Sequence, residues 1–179
     1  MTSSSTPGLA RFNTLPEAAA TAVLHEVCAS RAWGSALLAH RPYSGLEDLF
    51  AVSDTATEGL AGEGLAEAMS GHPPIGRPKP GDPTSSREQR GMAGAPDALK
   101  AEMLALNLEY QDKFGHVFLI CATGAGAEEM RDALKKRLGN TPEEERGNVR
   151  TELGKINRIR LDRLAREPQH QSSQGAPTV

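Results

Sequence analysis

The sequence predicts an all-α fold in a single domain, a multi-helix bundle of about seven or eight helices. The 179 residues are the size of one ordinary domain. Only 4% of the residues are aromatic, which favours a core built from Ala and Leu. Apolar residues recur at the three- and four-residue spacing of helices, and 116–124 is the one stretch of β-type composition.

The N-terminal helices are predicted from start signals and apolar spacing. TLPE at 14–17 is typical of a capping box with proline in the first turn of the helix. A short helix around Trp33 is expected to end before the RPY that interrupts it. SGLE at 44–47 opens a third helix, which is expected to continue beyond a break near 59–64.

The C-terminal half contains the longest predicted helices. One begins at about Ser85 and is interrupted by GAP at 94–96. We interpret 116–124 as a buried connector, because a lone apolar run cannot be assigned to a strand from its pattern. An amphipathic helix over 126–140 follows, and TPEE at 141–144 starts the last helix.

Both ends of the chain are polar. The start is rich in Ser, Thr, Pro and Gly, and the end reads REPQHQSSQGAPTV. Such segments lack the apolar area that offsets the entropy of ordering a chain. We therefore expect disordered tails at 1–8 and 167–179, around one folded domain at 9–166.

Charge and cysteine content exclude several classes of partner. A formal net charge of −3 and a pI near 6.0 provide no general attraction for nucleic acid or an anionic membrane surface. No apolar run reaches the roughly 18 residues of a membrane span, and the start lacks the layout of a secretion signal. Cys28 and Cys121 form neither a paired metal motif nor a disulfide framework. We expect a cytoplasmic protein.

The Pro/Gly-rich segment between His72 and Ser85 is the first candidate for chemistry. His72 stands in GHPPIG, where a role on an ordinary helix face is not expected. It is either an exposed loop residue or an acid or base, because imidazole titrates near neutral pH. A carboxylate close to it would fix its tautomer and favour its protonated form.

Glu88 and Arg160 each have a structural and a functional interpretation. SSRE at 85–88 matches a capping box, in which Glu88 would reach back to the helix start. The same helix end could instead present Glu88 and Gln89 to a pocket. Arg160 lies beside the apolar stripe of the last helix, so it either extends its stem to solvent or places its guanidinium at a pocket rim.

Metal and nucleotide motifs are weak in this sequence. HEVCA at 25–29 lacks the second histidine of H-E-x-x-H, and the remaining histidines have no partner four residues away. ATGAGAEE at 122–129 follows no βαβ pattern and lacks the Lys-Ser/Thr ending of a phosphate loop. We predict neither a metal site nor a cofactor.

Four motifs together resemble the 2-oxo-4-hydroxy-4-carboxy-5-ureidoimidazoline (OHCU) decarboxylases of the urate-to-allantoin route. They are GHP at 71–73, SSREQRGM at 85–92, YQDKFGHVFLICA at 110–122 and INRIRLDRL at 156–164. FNTLP, CASRAW and RPY upstream extend the similarity over essentially all of the chain expected to be ordered.

The resemblance implies His72 as the catalytic proton donor, Glu88 oriented toward His72 and the ligand, no cofactor, and a homodimer. A cofactor is not needed because the carbanion left by CO2 loss spreads into the substrate's own C=N and C=O groups. The resemblance assigns substrate contact to Pro73, Ser85, Ser86, Arg87, Glu88, Gln89, Phe118, Leu119, Ile120, Cys121, Ala122 and Arg160.

Two other functions stay open from the residues alone. The first is a non-catalytic helical adaptor or ligand-binding module on the same fold. The second is a metal-dependent hydrolase that uses His72, His116 and Glu88.

Overall fold

A computed structural model of the protein describes residues 6–167, and these contain ten helices. Eight of the ten have seven or more residues, which confirms the predicted all-α bundle. The helices are α1 Pro7–Thr14, α2 Glu17–Val27, α3 Arg31–Ala39, α4 Leu46–Glu58, α5 Gly62–Ser70, α6 Pro83–Glu88, α7 Arg90–Ala93, α8 Asp97–Phe114, α9 Ala127–Arg137 and α10 Pro142–Arg166.

The N-terminal region differs from the prediction in two ways. Helix α1 begins at Pro7, inside the segment expected to be a tail, and Gly8 packs so closely on α10 that an added Cβ would lie 2.2 Å from the Leu164 carbonyl oxygen. The capping box expected at 14–17 is wrong, because Thr14 is the last residue of α1 and its hydroxyl donates to the Arg11 carbonyl. The remaining tail predictions, at 1–5 and 168–179, lie outside the described residues.

The region after 80 is divided more finely than predicted. Asp82, rather than Ser85, caps α6, and its carboxylate accepts from the backbone N–H groups of Thr84 and Ser85. The interpretation of 85–88 as a capping box is therefore wrong, and Glu88 is available for another partner. Helices α6 and α7 are separate short helices, and the interruption expected at 94–96 separates α7 from α8.

Two apolar clusters form the core, and the predicted connector joins them. The first cluster is built around α10 with α1 to α5, and the second joins α8 and α9. Within 116–124, Leu119 belongs to the first cluster and Phe118 to the second, so the run is a buried connector without strand pairing. The predicted capping box of the last helix is confirmed, with Thr141 and Glu144 bonded reciprocally.

Candidate active site

His72 lies at the junction of the two clusters, two residues after α5 ends. Its backbone N–H donates to the Met69 carbonyl, and the residue is only 8% exposed. Two side-chain amides hold the loop that follows. The Gln89 side chain accepts from the Gly76 N–H at 2.9 Å and donates to the Pro74 carbonyl at 3.2 Å, while Asn107 donates to the Ile75 carbonyl at 3.0 Å. The histidine therefore stands on a loop that is fixed from α6 and α8.

His72 lines two cavities. The inner cavity is small, about 20 Å³, and Glu88 shares its wall with His72. The outer cleft is about 400 Å³ and contains His72, Arg160 and the polar residues Lys79 and Asp82. The other residues of the inner wall are Pro73, Ile75, Gln89, Phe118, Leu119, Ile120, Ala122, Thr123 and Ile156.

Glu88 and Arg160 form a bidentate ion pair beside His72. Arg160 Nε lies 2.7 Å from Glu88 Oε1, and Nη2 lies 2.8 Å from Oε2. Arg160 Nη1 also donates to the Val27 carbonyl at 2.9 Å. The Arg160 side chain is thus held at the rim of the cleft instead of extending to solvent. Its planar guanidinium forms two parallel hydrogen bonds with the two oxygens of the Glu88 carboxylate.

This arrangement leaves His72 neutral. Burial, with a smaller effect of the Arg160 charge, lowers the pKa of His72 to about 3. The expectation that a nearby carboxylate would favour the protonated form is therefore wrong, because burial dominates the pKa of His72 and the Glu88 carboxylate is paired with Arg160.

The remaining residues assigned to substrate contact do not all reach the cavities. Those that line the inner cavity are Pro73, Glu88, Gln89, Phe118, Leu119, Ile120 and Ala122. Ser86 and Arg87 are exposed and lie on neither cavity wall. Ser85 is buried and accepts from the Lys79 N–H, so it stabilises the loop. Cys121 is also outside both walls, and its N–H donates to Glu152.

A buried ionic network behind residues 118–122 was not found from the sequence. Glu145 has no exposed surface and accepts from Tyr110, Arg137, Asn140 and Asn148. Arg137 Nη1 donates to the Leu119 carbonyl at 2.7 Å. A signal was present, because Glu145 lies four residues before Val149 and eight before Leu153 on the buried stripe of α10.

The residues proposed for a metal-dependent hydrolase are not brought together. His116 packs its ring against Tyr110 and Phe114 and lies on neither wall at His72. Within residues 6–167, no group of three His, Cys, Asp or Glu side chains is placed to hold a metal ion. Over the same residues, every helix is too short or too polar to cross a membrane.

Several known proteins are similar to this chain in sequence or in fold. An OHCU decarboxylase from Amia calva is 34% identical over 142 residues, which cover 75% of this chain and 80% of that protein. The uric acid degradation bifunctional protein TTL from Arabidopsis thaliana is 28% identical over 144 residues, covering 76% of this chain and 44% of the relative. A crystal structure of OHCU decarboxylase in the presence of (S)-allantoin superposes with a TM-score of 0.71 and 26% identity, covering 80% of this chain and 96% of that one.

The sequence profile described as OHCU decarboxylase matches residues 13–162. The matched range contains His72, Glu88 and Arg160 as well as the buried network around Glu145. It also contains all four motifs on which the resemblance rested, except for the last two residues of the fourth. This chain belongs to the OHCU decarboxylase family.

Proposed function

We propose that the chain is a carboxy-lyase that converts OHCU to (S)-allantoin in urate degradation without a cofactor. One observation carries the proposal: His72 and Glu88 line one cavity, and Arg160, paired with Glu88, lines a second cleft together with His72. The Amia calva relative bears the name of this decarboxylase, and the similar OHCU decarboxylase crystal structure is described as obtained in the presence of (S)-allantoin.

The outer cleft is the proposed site for the body of the substrate. The inner cavity, at about 20 Å³, has room for about one water molecule. The outer cleft, at about 400 Å³, is in the range of small-molecule sites. We place the ureido-imidazoline there, with its reacting carbon at His72 and its oxygens toward Arg160, except for one oxygen that points past His72 into the inner cavity.

Proton transfer follows from the charge of the substrate. The carboxylate of OHCU brings a negative charge next to a neutral His72, and such a charge favours the imidazolium form. We propose that His72 takes up a proton from solvent as the substrate binds. When the C–C bond to CO2 breaks, its electron pair stays on the ring carbon and spreads into the adjacent C=N and C=O groups. His72 then gives its proton to one face of that carbon, which yields a single enantiomer.

Arg160 and the residues around it supply electrostatic stabilisation in this proposal. The guanidinium faces the cleft while Glu88 holds its orientation through two hydrogen bonds. The backbone N–H groups of Ile120 and Ala122 have no protein acceptor among the described residues, and we propose that they donate to the substrate. Removal of one such donor typically costs on the order of 10²-fold in turnover.

The test uses OHCU generated freshly from urate, with and without a chelator, and follows the optical activity of the allantoin that forms. We expect rapid formation of one enantiomer regardless of the chelator. The His72→Asn variant should fold and lose about 10² to 10⁴-fold in turnover. His40→Asn, at an exposed histidine of the α3 C-terminus, is the matched control and should retain full activity.

Other outcomes would identify the alternatives. A non-catalytic module would bind allantoin and leave the lifetime of OHCU unchanged. A metal-dependent hydrolase would be inactivated by the chelator. Turnover of His72→Asn at the wild-type rate would remove the assigned role of the imidazole.

We also propose a cytoplasmic homodimer. The two cysteines are free thiols, as a reducing compartment favours. Leu104 and Leu108 on α8 are 36% and 57% exposed, and we expect a subunit contact to cover them. Light scattering should give twice the 19.0 kDa mass of the chain. A mass of one chain at micromolar concentration would contradict the dimer.

A further inference from the structure

The inner cavity wall is held from behind by the buried network around Glu145. We propose that Arg137 is a positioning residue, which fixes residues 118–122, called here the wall segment, relative to Arg160. The inference rests on the proposed function, because it concerns the geometry of the same site. Arg137 lies on neither cavity wall and acts through the wall segment alone.

Arg137 makes two direct contacts with the wall segment. Its Nη1 donates to the Leu119 carbonyl at 2.7 Å, and its guanidinium carbon lies 4.6 Å from the centroid of the Phe118 ring. Phe118 and Leu119 both line the inner cavity. A planar guanidinium can hold a carbonyl, a ring face and a carboxylate at once, which a lysine ammonium cannot do in the same geometry.

The other side of Arg137 is anchored to α10. Arg137 Nε donates to Glu145 at 2.7 Å, and Glu145 has no exposed surface. The same helix also holds the wall segment at a second point, because Glu152 accepts from the Cys121 N–H at 2.8 Å. Arg160 projects from this helix too. These two contacts therefore fix the position of the wall segment relative to Arg160, which lines the outer cleft.

This relative position matters because catalysis depends on the exact distances between the reacting groups and the residues that hold them. A misplacement of about 1 Å by a remote substitution can cost roughly 10²-fold in rate. If the Leu119 carbonyl loses its donor, the N–H groups of Ile120 and Ala122 are held less firmly. We therefore expect weaker binding and slower turnover of the substrate ring, while the two apolar clusters of the fold stay intact.

The experiment compares Arg137→Lys with Asn148→Ala. The lysine keeps a positive charge for Glu145 but leaves the Leu119 carbonyl without its donor, whereas the alanine removes a donor to Glu145 and makes no contact with the wall segment. The readouts are thermal stability, the dissociation constant of (S)-allantoin and kcat with fresh OHCU. For Arg137→Lys we expect about 10-fold weaker allantoin binding and about 10 to 100-fold lower kcat. Asn148→Ala should keep both.

Two outcomes of this comparison would overturn the inference. One is equal effects of the two variants on affinity and kcat, since the contacts of Arg137 with the wall segment would then make no difference. The other is a stable Arg137→Lys with wild-type affinity and kcat. If this variant does not fold, the Arg137→Met/Glu145→Gln double variant replaces it, because it leaves no uncompensated buried charge. A folded double variant with wild-type affinity and kcat would overturn the inference as well. Failure of the proposed function is distinct, because the wild type itself would then leave OHCU unaffected.

Discussion

Two Arg–Glu pairs contact the inner cavity or its wall, and their surroundings differ. In the Arg160–Glu88 pair the two side chains are 11% and 12% exposed, and Arg160 is the sole hydrogen-bond donor to the Glu88 side chain among residues 6–167. In the Arg137–Glu145 pair the glutamate is fully buried and has donors from four residues. The two glutamate carboxylates thus accept hydrogen bonds from different numbers of residues.

The difference is in how firmly each carboxylate is held. Burial alone would raise the pKa of Glu145, but hydrogen bonds from Arg137, Tyr110 and Asn140 outweigh it and lower the pKa. Burial and the bond to Glu145 also raise the pKa of the Tyr110 hydroxyl far above its ordinary value. Glu88 retains acceptor capacity and faces a cavity. We therefore expect loss of the Glu145 carboxylate to act mainly on stability and loss of the Glu88 carboxylate to act mainly on chemistry.

The largest expected effect is on folding, in Glu145→Ala. The substitution leaves a buried guanidinium without its carboxylate, so we expect a loss of about 3–5 kcal/mol in the free energy of unfolding. Urea denaturation followed by circular dichroism measures it. The side chains left without their acceptor are Tyr110, Arg137, Asn140 and Asn148. A loss below about 1 kcal/mol would show that the Arg137–Glu145 pair contributes little to the stability of the fold.

Glu88→Gln should show the reverse pattern. The Arg160 charge is then uncompensated beside His72 and disfavours the imidazolium that the reaction needs. We expect turnover of OHCU to fall by about 10²-fold, or about 2.7 kcal/mol, with a smaller change in the free energy of unfolding. Kinetics and urea denaturation on the same preparation test this. A stability loss equal to that of Glu145→Ala, with unchanged kcat, would reverse the roles of the two pairs.

Local patterns predicted the helices well and these ion pairs poorly. The Thr141 start of α10 was predictable because its capping box uses residues three apart. SSRE at 85–88 has the same local pattern, but Asp82 and Pro83 start the helix three residues earlier. The partner of Glu88 is 72 residues away in the chain, and a local pattern contains no information about it.

The candidate site was predictable only to the level of its motifs. The sequence resemblance pointed to His72, Gln89 and the 118–122 region, which the structure does place around one cavity, apart from Cys121. It also assigned contact to Ser86 and Arg87, which the helix turn of α6 directs away from the cavity walls. A run of five consecutive residues cannot all face one side of a helix, so some of them had to be exposed.

The pH dependence of stability should depend on His72, whose pKa is about 3 in the folded state against 6.5 for the free side chain. Well above pH 6.5 the imidazole is neutral in both the folded and the unfolded state, so it does not change the free energy of unfolding. As pH falls below 6.5 the unfolded chain takes up a proton that the folded chain does not, and stability is lost. Between pH 7 and 5 we expect the wild type to lose about 2 kcal/mol more than His72→Asn. Urea titrations at both pH values measure it, and parallel curves would contradict the neutral, buried state of His72.

The smallest expected effect is that of Asn148→Ala, which removes one of the donors to Glu145. Its Nδ2 lies 3.2 Å from Glu145 Oε2, at the long end of such bonds, and Asn140 donates to the same oxygen at 2.9 Å. Because that oxygen keeps a shorter bond, we expect a loss of about 1 kcal/mol in the free energy of unfolding and unchanged kcat. A loss near that of Glu145→Ala would mean that the network behaves as one unit, in which no donor is dispensable. A small loss means that redundant donors hold the Glu145 carboxylate, so that this buried charge stays fixed when one donor is removed. Glu88 has one donor residue, Arg160, among residues 6–167, and therefore has no such redundancy.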